Sequence, residues 1–225
     1  MKKERKLSPT LLCADQMNLQ DTIDRLNSFD LAWYHVDIMD GHFVPNLAFG
    51  LLALEQICRL AKHPVCGHFM VENPAAYLEA SAKAGLDYFA FHVETEKNPF
   101  RLAEQIRRNG MKPAAAINPM TPIEYVRPLL PYLDLVILMA VEPGYSGQTF
   151  LPCIWSKLEE LSGEKKNHSF LIEVDGGVNM ENLGACIRGG ADVLVAGAFT
   201  LFRPGFSLEE NFRETDQAVQ KALRE

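Results

Sequence analysis

Long apolar runs are missing from this 225-residue chain, and none approaches the roughly 18 residues of a membrane span. No membrane partner is therefore expected. Positive charge is in deficit: 22 Lys and Arg face 29 Asp and Glu, a net charge of −7. Nucleic acid is excluded as the main partner on that ground, because neutralising its phosphates takes a basic surface. No C-x-x-C pair occurs. The five cysteines (Cys13, Cys58, Cys66, Cys153 and Cys186) are odd in number and scattered. That pattern argues against a disulfide framework or a structural zinc and suits reduced thiols in a cytosol. Four of them are expected to be small buried hydrophobes, and Cys66 to be core filler. No G-x-G-x-x-G turn follows the first apolar run, which removes the dinucleotide-binding fingerprint. No linker, low-complexity segment or charge block divides the chain. Hydrophobic residues reach 48%, enough to build a core, so disorder is excluded.

The opening Met1-Lys2-Lys3-Glu4-Arg5-Lys6 is basic, but Ser8, Pro9 and Asp15 interrupt the apolar segment behind it too early for a secretory h-region. Residues 1–6 read as a short solvated tail, 7–225 as one domain, and the cytoplasm as the compartment.

What is present is a regular alternation. Short apolar runs at 7–12, 33–38, 65–69, 88–92, 113–117, 135–139, 170–174 and 193–196 predict strands. Amphipathic stretches at 17–28, 51–62, 75–84, 99–109, 122–132, 152–161, 180–189 and 207–224 predict helices. Asn73-Pro74, Thr121-Pro122 and Leu151-Pro152 place proline near first helical turns, and Gly85, Gly110 and Gly190 sit where C-caps belong. Eight such units at about 28 residues each predict an α/β fold, a single (β/α)8 TIM barrel. An open doubly wound sheet is the alternative.

In a barrel the chemistry sits at the C-terminal ends of the strands. Period-2 alternation puts His35, Asp37 and Met39 on one face, with Val36 and Ile38 on the other. In the same way Cys66, His68 and Met70 share a face, as do Glu173 and Asp175. Taken singly, a strand-end His is most often a structural hydrogen-bonding residue, and an Asp before Gly a turn former. Two His and two Asp converging on one rim are different, because the bare carboxylates would repel each other. One divalent cation (zinc, iron, manganese or cobalt) resolves that conflict with nitrogen and oxygen ligands. The loops holding Gly144, Tyr145, Ser146 and Gly147, Gly176-Gly177 and Gly197-Ala198 form a second group. Each Gly turn alone is commonly only a tight turn. Three on adjacent loops favour an anion site built from backbone N–H groups.

The motif His35-Val36-Asp37-Ile38-Met39-Asp40-Gly41-His42-Phe43-Val44-Pro45-Asn46 resembles the signature of the ribulose-phosphate 3-epimerase family. The blocks His68-Phe69-Met70-Val71, Met139 to Gln148 and Glu173 to Val178 follow in the family's order, so the similarity spans Leu7 to about Phe202. The resemblance implies a divalent metal held by His35, Asp37, His68 and Asp175, with Asp37 and Asp175 also the acid/base pair. Those two arise from the second and seventh predicted strands, across the barrel. Met39, Met70 and Met139 match methionines that line the reacting carbons. Residues Gly144 to Gly147, Gly176, Gly177, Gly197 and Ala198 match phosphate-binding loops. His68 and Thr10 border the substrate, Thr10 standing where the family usually has Ser, so that its methyl narrows the pocket. Phe69 replaces a usual Leu and points away from the metal, and Ala140 replaces a usual Ser or Thr.

The implied reaction is C3 epimerisation of a ketose phosphate, D-ribulose 5-phosphate to D-xylulose 5-phosphate, in carbohydrate metabolism and the pentose phosphate pathway. Relatives acting on D-allulose 6-phosphate form the alternative, since Leu7-Ser8-Pro9 and His92-Val93-Glu94-Thr95 are similar to that branch. The Asp175-Gly176-Gly177-Val178 block is closer to the ribulose-phosphate branch. A decarboxylating lyase would place Lys beside the metal-binding Asp, and none is there. A non-catalytic sugar-phosphate sensor would be expected to have lost an acid or a metal ligand, and all four are present. Apolar residues on the outer helices are compatible with a homo-oligomer.

Overall fold

Parallel strands and the helices between them follow one another along the chain in a computed structural model that describes residues 6–225. The strands are β1 (Leu7–Pro9), β2 (Tyr34–Asp40), β3 (Leu47–Ala48), β4 (Val65–Met70), β5 (Tyr88–His92), β6 (Lys112–Ile117), β7 (Leu135–Met139), β8 (Leu171–Asp175) and β9 (Val193–Ala196). The helices are α1 (Leu19–Leu26), α2 (Leu51–Leu60), α3 (Leu78–Ala84), α4 (Pro99–Arg108), α5 (Ile154–Glu164), α6 (Leu183–Arg188) and α7 (Leu208–Ala222). Sheet order is β1-β9-β8-β7-β6-β5-β4-β2-β3, and a parallel bridge from Thr10 to His35 closes β1 onto β2. The result is the expected (β/α)8 barrel, with β3 a short antiparallel addition pairing Met39 with Ala48. Among the described residues no helix is long and apolar enough to cross a membrane. Residues 1–5 of the predicted tail lie outside the described residues.

Alternation along each strand sorts side chains into two cores. Val36, Ile38, Phe69, Phe89 and Phe91 face outward against the helices. Trp33, Cys66, Tyr88, Ala90, Ala114, Ala116, Leu135 and Ile137 fill the barrel interior. The alanines of β5 and β6 leave room for large rings there, and Trp33 and Tyr88 lie 5.0 Å apart. Phe69 points outward as expected and stacks on Phe89 at 3.9 Å. It fits because Gly67 has no side chain: a Cβ there would meet the Phe69 ring at 2.9 Å.

Several local expectations need correction. The strand predicted over 7–12 ends at Pro9, because the Thr10 hydroxyl accepts from the Leu12 N–H and turns the chain into a 3₁₀ helix over Leu11–Cys13. The helix predicted over 122–132 is two 3₁₀ segments, Ile123–Tyr125 and Arg127–Tyr132. Pro128 and Pro131 lack the N–H groups that an α-helical ladder needs. Asn109 and Gly189, one residue earlier than predicted, cap α4 and α6, whereas Gly85 caps α3 as expected. The cysteines divide as well: Cys186 and Cys66 are buried, Cys13 and Cys58 half-buried, and Cys153 is exposed.

Candidate active site

Parallel register sets Asp37 beside His68, Met39 beside Met70 and Met139 beside Asp175. The C-terminal ends of β2, β4, β7 and β8 thus deliver their polar and thioether groups to one level of the barrel mouth. His35 and His68 are fully buried, with Asp37 4% and Asp175 9% exposed. His35 Nε2 lies 3.2 Å from Asp37 Oδ1 and 3.5 Å from Asp175 Oδ2. His68 Nδ1 lies 3.4 and 3.5 Å from the same two oxygens and 3.2 Å from His35 Nε2. One ligand atom from each of the four residues falls within 4.8 Å of all the others. Around the ring, β2 and β8 are separated only by β1 and β9, yet their carboxylates meet over the barrel axis.

The charge balance of this cluster is unfavourable without a cation. Fully buried Glu173 adds a third carboxylate, 3.3 Å from His35 Nδ1 and taking the Trp33 indole N–H at 3.2 Å. Burial works against a charged His35, but Asp37, Asp175 and Glu173 together hold its pKa well above the ordinary imidazole value. Burial also works against an ionised Asp37, yet the two imidazoles beside it hold its pKa below the usual range. Its Oδ2 accepts from the Thr10 hydroxyl at 2.5 Å as well. Burial first, and the negative charge of Asp37 with it, push Asp175 up to about 6. Two imidazole nitrogens and two carboxylate oxygens in a dry pocket fit a divalent metal by number and type of donor.

Above the cluster a cleft opens at the barrel mouth. Thr10, Met39, Met70 and Met139 line it, together with Gly144, Tyr145, Ser146, Gly147, Gly176, Gly177, Gly197 and Ala198. No Lys or Arg is among its lining residues. The loop after β7 is braced as an arch: Gln148 Nε2 donates to the Glu142 and Tyr145 carbonyls at 2.6 and 2.9 Å. Asn46 Nδ2 donates to Gly144 O at 2.8 Å and Tyr145 Oη to Pro45 O at 2.7 Å, tying the arch to the loop after β2. Gly176 and Gly177 have φ of 103° and 64°, and a Cβ on Gly177 would lie 2.5 Å from the Phe150 nitrogen. Only glycine lets the chain turn back here at close range. The methyl carbon of Thr10 faces Gly197, where a Cβ would stand 3.2 Å from it.

Every residue expected at the site is therefore at this cleft or directly beneath it. Two groups escaped the sequence reading. Cys13, read as core, is a wall of the cleft; burial and the Asp37 charge push its thiol up to about 11, against contacts from Ser146 and the Ala198 N–H. The turn at Thr10 brings it there, and the strand predicted through 12 hid that turn. His92 and Glu94 lie beside His68, and in the sequence only their similarity to relatives stands out. Their i, i+2 spacing at a strand end was the signal. Burial pushes His92 down to about 4 and so keeps it neutral.

The profile of the ribulose-phosphate 3 epimerase family matches residues 6–201. The chain belongs to the ribulose-phosphate 3-epimerase family, and with it to the isomerases that act on carbohydrates. It is 39% identical over 206 residues to the ribulose-phosphate 3-epimerase cytoplasmic isoform of Oryza sativa subsp. japonica, covering 89% of this chain and 90% of that one. It is 38% identical over 196 residues to the ribulose-phosphate 3-epimerase of Bacillus subtilis, covering 86% and 90%. A mutant tryptophan synthase alpha-subunit from Pyrococcus furiosus superposes with a TM-score of 0.71 at 16% identity, covering 98% of this chain and 100% of that one. That similarity concerns the barrel alone.

Proposed function

We propose that this chain interconverts D-ribulose 5-phosphate and D-xylulose 5-phosphate, one of Asp37 and Asp175 taking the C3 proton and the other delivering a proton to the opposite face. The convergence of His35, Asp37, His68 and Asp175 beneath the cleft at the barrel mouth is the observation that carries this reading. The relatives bearing the ribulose-phosphate 3-epimerase name support the five-carbon substrate over D-allulose 6-phosphate.

Epimerisation removes a proton from one face of C3 and returns one to the other, so one acid must start ionised and the other protonated. The difference between Asp37 and Asp175 supports that division. Asp37 accepts from Thr10 and stays ionised, suited to abstract the C3 proton. Asp175, pushed up to about 6, is suited to carry the proton delivered to the opposite face. In the reverse direction they exchange roles. A divalent metal bound by His35, Asp37, His68 and Asp175 would supply Lewis-acid stabilisation of the charge developing on the C2 and C3 oxygens. Met39, Met70 and Met139 present a polarizable wall that excludes water and offers no competing strong hydrogen bond. With no basic side chain lining the cleft, the phosphate would be met by backbone N–H groups of the loops after β7, β8 and β9. Five free thiols support a reducing compartment.

The test is a coupled assay of metal-loaded protein on D-ribulose 5-phosphate and D-allulose 6-phosphate in parallel. A higher kcat/KM is expected on the pentulose. A higher value on the hexulose overturns the substrate, and turnover of neither overturns the reaction.

A further inference from the structure

We propose that His92 and Glu94 are positioning residues that fix the tautomer of His68, so that its Nδ1 lone pair faces the metal-binding cluster. This rests on the reading above that His68 is a metal ligand.

His68 directs Nδ1 at Asp37 and Asp175, and its Nε2 points the other way, 2.8 Å from His92 Nε2. Both rings are fully buried, with centroids 5.0 Å apart and planes 20° from parallel. With the two nitrogens so close at that centroid separation, the rings meet edge to edge in a hydrogen bond. Such a contact holds one proton. Which ring owns it is decided on the far side of His92. Its Nδ1 lies 3.2 Å from Glu94 Oε2. The other oxygen of Glu94 accepts from the Asn118 N–H at 2.8 Å and from the Thr121 hydroxyl. A carboxylate facing three donors acts as an acceptor only, so His92 must carry its proton on Nδ1. Neutral His92 then offers a lone pair at Nε2. The shared proton belongs to His68 Nε2, and His68 Nδ1 is left free to bind a metal.

The tether is rigid at its outer end. Lys157 Nζ donates to the Asn118 carbonyl at 3.0 Å and to that of Thr121, clamping from α5 the loop that serves Glu94. Phe43 packs against His92 with ring centroids 4.7 Å apart. His35 has the simpler equivalent, with Glu173 directly on its Nδ1. Partners of this kind set imidazole orientation and metal affinity in metal sites generally.

Zinc is the probe. The full-length chain, His92→Phe and His92→Gln are stripped of metal, and zinc dissociation constants are measured by chelator competition. His92→Phe keeps a ring against Phe43 but has no acceptor, and should weaken zinc binding about 10- to 100-fold. His92→Gln, whose amide oxygen can accept from His68, should recover most of that loss. In metal-free wild type, long-range 1H–15N spectra should place the His68 proton on Nε2 and the His92 proton on Nδ1. Unchanged zinc affinity in His92→Phe, or a His68 proton on Nδ1 in wild type, overturns the proposal alone. Failure of the wild-type chain to bind zinc overturns the metal reading and this one together. Should His92→Phe fail to fold, the wild-type spectra still decide.

Discussion

Thr10 Oγ1 donates a 2.5 Å hydrogen bond to Asp37 Oδ2, and it does so where β1 closes onto β2. One hydroxyl therefore serves both the barrel seam and the carboxylate proposed as a base. Thr10→Val keeps the shape and removes the donor, leaving a buried carboxylate oxygen without its partner. A hydrogen bond to a charged group is worth about 1.5–3 kcal/mol. Steady-state kinetics should show kcat/KM reduced by about 10- to 100-fold, with Thr10→Ser close to wild type.

Asp37→Asn and Asp175→Asn should each abolish epimerisation while circular dichroism stays that of the parent. Because both groups also belong to the candidate metal site, metal content is to be measured beside turnover. Near-normal turnover in either variant would sink the two-acid assignment.

Removing metal should make stability depend on pH in a definite direction. His35 is held well above its ordinary value in the folded protein. Its stabilising contribution is whole below the unfolded value of about 6.5 and disappears as pH rises through the folded one. Asp175, at about 6 in place of 3.8, has the same sign: across that window the folded chain keeps a proton that the unfolded chain has released. Asp37 works oppositely, losing its contribution as pH falls below 3.8 through its lowered folded value. Between about pH 4 and 6.5 His92, pushed down to about 4, opposes Asp175 and offsets it. Above about pH 6.5, where the His35 contribution is being lost unopposed, the Tm of chelator-treated protein should therefore fall, by several degrees. Added zinc should restore most of that loss at pH 8, since it replaces the proton as counter-charge. A Tm rising over that range in scanning calorimetry would contradict the charge balance described.

Gly177→Ala tests the phosphate loops. The added Cβ would meet the Phe150 backbone at 2.5 Å on a residue at φ 64°. Strain of this kind costs about 1–3 kcal/mol, readable as a lower denaturant midpoint. The substitution leaves the acids in place, so KM should rise more than kcat falls. The opposite split would place Gly177 outside phosphate binding.

Much of this protein was legible in its sequence. Alternation of apolar runs with amphipathic stretches determined the barrel, and period-2 patterning turned His35, Asp37, His68 and Asp175 inward. Those signals are local, so a linear reading reaches them. Helix type over 123–132 was misread although Pro128 and Pro131 announced it, since a helical hydrophobic period does not reveal a missing N–H.

The tertiary structure alone decided who meets whom. Side-chain period tells which face a residue occupies, but neither its layer nor its partner. Parallel register set Asp37 beside His68, while barrel closure brought β8 round to lay Asp175 and Glu173 against His35. Cys13 joined the cleft because the chain turned at Thr10. The edge contact between His68 and His92 joins residues 24 positions apart on neighbouring strands. Contacts like these depend on how the strands are staggered when the barrel closes, which is settled by packing over the whole ring.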